Sequence, residues 1–176
     1  MAALPLPQFS AIDPTTFPAR LDELLQTNLQ QIDHLLAKNA HFTWENLMHP
    51  MDDMDDALEQ FWSPLSHLHA VVNSPALREC YQACLPKLSA YESAIGHNQG
   101  LYNAIKMIDK KSLNSVQSKI IDDTLLDFEL SGVALTDENK SRFEMIQARL
   151  SELTNHYENN VLDAGQAYSF HITDEK

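Results

Sequence analysis

Glycine is scarce in this chain, four in 176 residues, and apolar side chains recur at spacings of three and four along most of its length. That combination confines the fold. With few residues free to turn or bulge, and a 3.6-residue period running through the sequence, it reads as all-α: a multi-helix antiparallel bundle of about six helices with proline kinks. A single domain of this size buries roughly 70% of the surface its unfolded chain exposes, enough for a core without disulfides or metals.

Residues 1–15 read as an arm punctuated by Pro5, Pro7 and Pro14, and 16–167 as the helical domain. Thr16 or Thr15 is the expected cap of a first helix whose stripe is Leu21, Leu24, Leu25, Leu29, Ile32, Leu35 and Leu36, ending near Asn39. Thr43 caps the next segment, which restarts at Pro50 and runs past Phe61 and Trp62, with Pro64 inside it as a kink. Ser74 followed by Pro75 opens a third helix, with Leu77, Tyr81, Cys84, Leu88, Tyr91 and Ile95 on one face and Pro86 as a second kink. A short helix is expected over 101–109, then one over 115–131 closed by Gly132, its apolar residues wrapping widely enough to imply burial on more than one side.

Thr136 caps the last helix, in which Phe143, Ile146, Leu150, Leu153 and Tyr157 recur in strict three-four spacing and predict a bundle seam as far as Gly165. From Tyr168 to Thr173 the residues alternate as in a strand, and 168–176 read as the start of a truncated next element.

With 25 acidic against 12 basic residues the net charge is −13, a field that repels phosphate backbones and anionic lipid and argues against nucleic-acid and membrane partners. Cys80 and Cys84, four apart on a helix, read as small core residues of a reducing compartment. Neither a basic n-region nor a long apolar run opens the sequence, so cytoplasm is the expected location.

The eight histidines offer few partners for chemistry. No histidine has another four residues on, and no glutamate has a histidine three residues on, which removes the His-Glu-x-x-His and di-iron patterns. Glu152 and His156 could share a metal, but an exposed helix pair is the simpler reading. His67 and His69 diverge by about 200° on a helix, so one is expected beside Trp62. The acidic run Asp52, Asp53, Asp55, Asp56 and Glu59 lacks the glycine and spacing of a calcium loop and reads as a solvated face. Ser66 and the cysteines lack any nucleophile signature, and Trp44, Phe61, Trp62 and Tyr81 are core sooner than groove. Catalytic, cofactor-binding and metal-ligating residues are each expected to number none in this chain.

Several of these caps and kinks form a known pattern. Phe9-Ser10-Ala11-Ile12, Thr43-Trp44-Glu45-Asn46-Leu47, the run from Trp62-Ser63-Pro64 through Ser66-His67-Leu68 to Asn73-Ser74-Pro75, and Leu85-Pro86-Lys87-Leu88-Ser89 resemble the N-terminal part of the thimet-type zinc oligopeptidases. The segments Asp127 to Val133, Leu150-Ser151-Glu152-Leu153 and Asn160 to Ala164 are similar to the same family, nearest its bacterial oligopeptidase A branch. The resemblance spans about Phe9 to Tyr168.

It implies a cytosolic zinc metallopeptidase acting on short peptides admitted by a narrow channel between two lobes. Its zinc and general base sit on a His-Glu-x-x-His helix far C-terminal to anything here. This chain would then be an inactive part of the channel wall, whose partners are the short oligopeptide substrates and the C-terminal catalytic domain of the full-length protein. The alternative reading is a stand-alone helical adaptor that binds peptides or proteins without catalysis.

Overall fold

The structure, a computed structural model, describes residues 6–171 and 173. Six helices make up its frame: α1 (Phe17–Lys38), α2 (His49–Val71), α3 (Pro75–Gly96), α4 (Gln99–Lys106), α5 (Ser115–Leu130) and α6 (Asp137–Ala167). Short 3-10 turns lie at Phe9–Ala11 and Lys110–Ser112, and a wide π-type turn, Trp44–Met48, leads into α2.

The local signals that start and stop these helices are mostly the expected ones. Thr43 and Asn46 cap each other: the Asn46 amide donates to Thr43 Oγ1 at 3.3 Å and the Thr43 amide to Asn46 Oδ1 at 2.9 Å. Ser74 and Thr136 accept from the third amide of α3 and α6. Two residues take up left-handed backbone, Asn73 and Gly132, each just past a helix end. At Gly132 (φ 85°) the Val133 amide reaches back to the Phe128 carbonyl and the Gly132 amide to that of Glu129, which closes α5 with its last carbonyls satisfied.

The start of α1 departs from expectation. Thr16 already has helical backbone and makes no cap bond. Asp13 organises the entry instead, accepting from the Thr15 amide at 2.9 Å and the Thr15 hydroxyl at 2.7 Å, while its carbonyl takes the Phe17 amide. Those bonds to Thr15 hold the Asp13 carboxyl below its ordinary range. Pro64 and Pro86 end neither helix. Each removes one rung of the ladder, freeing the carbonyls of Gln60 and Gln82, both exposed residues that solvent can satisfy.

Helices α1, α2 and α3 run up, down and up. Asp22 pairs with Lys87, and Asn28 meets the Tyr91 hydroxyl, so α1 and α3 are parallel with α2 antiparallel beside them. Two hydrophobic clusters fill the interior. One joins Phe17, Leu21, Leu25, Leu65, Leu77, Cys80, Cys84 and Tyr91 across the three helices. The other gathers Ile32, Leu47, Met48 and Met54 with the buried faces of α4 and α5, among them Leu101, Ile105, Ile121 and Phe128. Ile95 touches both clusters.

Three expectations are corrected here. Helix α5 does not bury several sides: Ile121 and Phe128 are inside, but Val116, Ile120, Leu126 and Leu130 are exposed, because α4 is its main packing partner. The α6 row is not buried in a seam: Ile146, Leu150, Leu153 and Tyr157 are all exposed. The orphan strand at the C-terminus is not formed: residues 168–171 and 173 have no strand structure, and Ile172 lies outside the described residues. A strand is completed by pairing its backbone groups, and no described element offers an edge.

Candidate functional site

The feature that sets this domain apart from a simple bundle is the docking of α6 across α3. On α6 the residues Phe143, Gln147, Ser151, Asn155 and Asn159, spaced by four, form the inner line, and Asn155 and Asn159 are buried. Their amides pair, Asn159 Nδ2 donating to Asn155 Oδ1 at 3.0 Å. A polar stripe meets α3 where an apolar one would normally lie, and cavities remain along the seam. One, about 390 Å³, is lined by Trp62, Tyr81, Leu85, Glu92, Phe143 and Gln147. Another, about 360 Å³, lies between Ser66, His69, Tyr81, Tyr157, Glu158 and Val161.

Polar clamps fix both ends. Arg78 near the start of α3 pairs with Asp163 near the end of α6, and its Nε also donates to Asn73 Oδ1 at 2.7 Å, tying the α2–α3 corner to α6. The bond to Asp163 raises the guanidinium's pKa and holds that carboxyl below its usual range. At the opposite end His97 Nδ1 lies 3.3 Å from Glu144, and Lys140 donates to the His97 carbonyl at 3.3 Å. The helices are therefore antiparallel, and the rotation of α6 about its own axis is set by these clamps.

Residues singled out in the sequence are scattered. His67 is exposed and sits 5.6 Å from the Phe9 ring. His69 is the buried one, but it reaches Trp62 only through Tyr81: it stacks on Tyr81 at 4.0 Å, and Tyr81 stacks on Trp62 at 5.0 Å. Its Nε2 finds no protein partner. Burial pushes the imidazole pKa down, and Arg78 adds to this, while Asn159 and Glu158 oppose it. Glu152 is drawn to Arg149 and His156 lies beside Asn160, so these two do not converge as a ligand pair. Among the described residues no three of His, Cys, Asp and Glu come together in a way that could hold a metal.

The remaining candidates fall to the bland reading. Asp52, Asp53, Asp55, Asp56 and Glu59 are all exposed along α2. Cys80 and Cys84 are free and buried, and desolvation pushes the Cys84 thiol up to about 12, far from a reactive thiolate. Trp44, Phe61 and Trp62 pack against the two cores; Trp62 and Tyr81 also line the larger cavity. The arrangement can hold neutral or apolar groups in its seam. Among the described residues no serine, threonine or cysteine side chain is hydrogen-bonded to a histidine.

His69 yields a test of this geometry. An imidazole kept neutral by burial takes up no proton where the unfolded chain does, so stability is expected to fall as pH drops through 6.5, its ordinary value, and to level off below its folded value. His69→Phe, which keeps the stack on Tyr81, should show a weaker loss between pH 7 and 5.5 in denaturant unfolding. Equal slopes for the two proteins would place the imidazole in solvent.

With this geometry in view, the described chain is an all-helical domain. The family description neurolysin/thimet oligopeptidase, N-terminal domain, matches residues 21–140. The chain belongs to this family, and to its N-terminal domain. It is 42% identical to oligopeptidase A of Salmonella typhimurium over 99% of its length and 42% identical to oligopeptidase A of Escherichia coli over 97%. It is also 29% identical, over 97% of its length, to a probable cytosolic oligopeptidase A of Arabidopsis thaliana. Those alignments cover 26%, 26% and 25% of the relatives, so the chain spans about a quarter of their length. No helix among the described residues is long and apolar enough to cross a membrane.

Proposed function

We propose that this segment is the N-terminal channel wall of a cytoplasmic zinc metallopeptidase that hydrolyses short peptides, and that it carries no catalytic, cofactor-binding or metal-ligating residue itself. The observation supporting this is the match of nearly the whole chain to the first quarter of oligopeptidase A relatives. On this reading 1–15 is an arm, 16–167 the wall domain, and 168–176 the beginning of the next element.

The residues present do not fit zinc. The pair Glu152 and His156 is turned to Arg149 and Asn160, and among the described residues no three of His, Cys, Asp and Glu gather as a ligand set. No step of hydrolysis is therefore assigned to this chain. What it supplies is a rigid helical layer whose parts are locked by two cores and by polar contacts at both ends of α6, Arg78–Asp163 and His97–Glu144. A wall of that kind limits substrates to peptides thin enough to enter.

The test is made on the full polypeptide. A fluorogenic peptide of several residues is expected to be cleaved, and the same scissile sequence placed in a surface loop of a folded protein is expected to resist. Cleavage of both at comparable rates would remove the channel from the account.

A further inference from the structure

We propose that the outward apolar stripe of α6, Ile146, Leu150, Leu153, Tyr157 and Val161, is the surface on which the catalytic portion that follows this segment in its relatives packs. The inference rests on the reading above and adds the surface through which the two parts meet.

The stripe is 49, 52, 46, 69 and 53% exposed along its length. It extends over about 22 Å of helix at roughly 1.5 Å per residue. A row of this kind, rimmed by Arg149, Glu152 and Glu158, exceeds the singly scattered apolar residues of an ordinary surface and marks an interface.

Rotation of α6 could bury the stripe against α3, which the removal of large apolar side chains from water would favour. Instead the stripe stays exposed, with Leu150, Tyr157 and Val161 only on the rims of the seam cavities. Asn155 and Asn159 face inward, and the Arg78–Asp163 and His97–Glu144 pairs hold that orientation. The sequence thus reserves its more polar face for the neighbour within this segment and its apolar face for another.

Two observations identify that other body. About three quarters of each relative's length lies outside the matched segment, so a large partner is joined to it covalently. The chain also leaves α6 at Ala167 through Tyr168 and Phe170, two further large apolar side chains each 75% exposed.

Thiol labelling of the full polypeptide tests this. Single cysteines are placed at Leu150→Cys, Leu153→Cys and Tyr157→Cys, with Gln26→Cys on the exposed side of α1 as the control, in a background whose downstream exposed cysteines are replaced. Cys80 and Cys84 are buried and can stay. The three stripe positions are expected to react at least about tenfold more slowly than the control, at every protein concentration, because labelling then requires the two parts to open.

Labelling as fast as the control would overturn the proposal. Protection that disappears on dilution would also overturn it, by assigning the stripe to a second copy. Peptide hydrolysis separates this inference from the reading beneath it. Activity with an unprotected stripe sinks the surface alone, whereas a protected stripe in a protein with no peptidase activity sinks the enzymic reading and leaves the surface standing.

Discussion

Leu65→Ala is expected to destabilise the domain by about 2 to 5 kcal/mol, a large share of the roughly 5 to 15 kcal/mol that holds a typical domain together. Leu65 is wholly inaccessible and stands where α1, α2 and α3 meet, among Phe17, Leu21 and Cys84. Those neighbours sit on α1 and α3, whose spacing is fixed by the Asp22–Lys87 and Asn28–Tyr91 contacts, so the void left by truncation cannot readily close. In urea the midpoint should fall while the slope is kept. The companion change Leu150→Ala, one helix away, is expected to alter the stability of the isolated segment by no more than about 0.5 kcal/mol, because its side chain is already half in solvent. Equal losses at the two positions would mean that α6 is packed the other way round.

The contrast between these two leucines also shows where sequence reasoning succeeds and where it stops. Periodicity finds helices because the period is a property of each segment alone. The stripe of α1 and the face of α3 are inside as expected, with Leu21, Leu25, Ile32, Leu77, Cys84 and Tyr91 buried. Periodicity gives the apolar face of α6 equally well, at Ile146, Leu150, Leu153 and Tyr157, but it does not say which neighbour that face meets. The deciding residues, Asn155, Asn159, Arg78 and Asp163, carry no pattern of their own. They matter only once α3 and α6 are side by side.

The same limit applies to Asn28 and Asp13. Asn28 is buried in α1 because Tyr91 on α3 offers its hydroxyl, a pairing 63 residues apart in the chain. Asp13 takes the capping role from Thr16 because the backbone at Thr16 has already turned helical. Gly132, by contrast, could be read from the sequence, since a glycine two residues past the last helical position is the usual way to close a helix. For the candidate site, the order of scaffold motifs shared with the oligopeptidases was legible. The seam cavities and the His69–Tyr81–Trp62 stack were not, because they join α2, α3 and α6.

The largest expected effect concerns chemistry. Enzymes typically exceed their uncatalysed reactions by a factor of about 10⁶ or more, so moving from the whole protein to a part without the reacting groups should take the rate to background. The decisive measurement is zinc content by elemental analysis together with turnover of a short fluorogenic peptide, made on residues 1–176 alone and on the full polypeptide. The account predicts stoichiometric zinc and turnover in the full polypeptide and neither in the segment. Stoichiometric zinc with measurable turnover in residues 1–176 would contradict it.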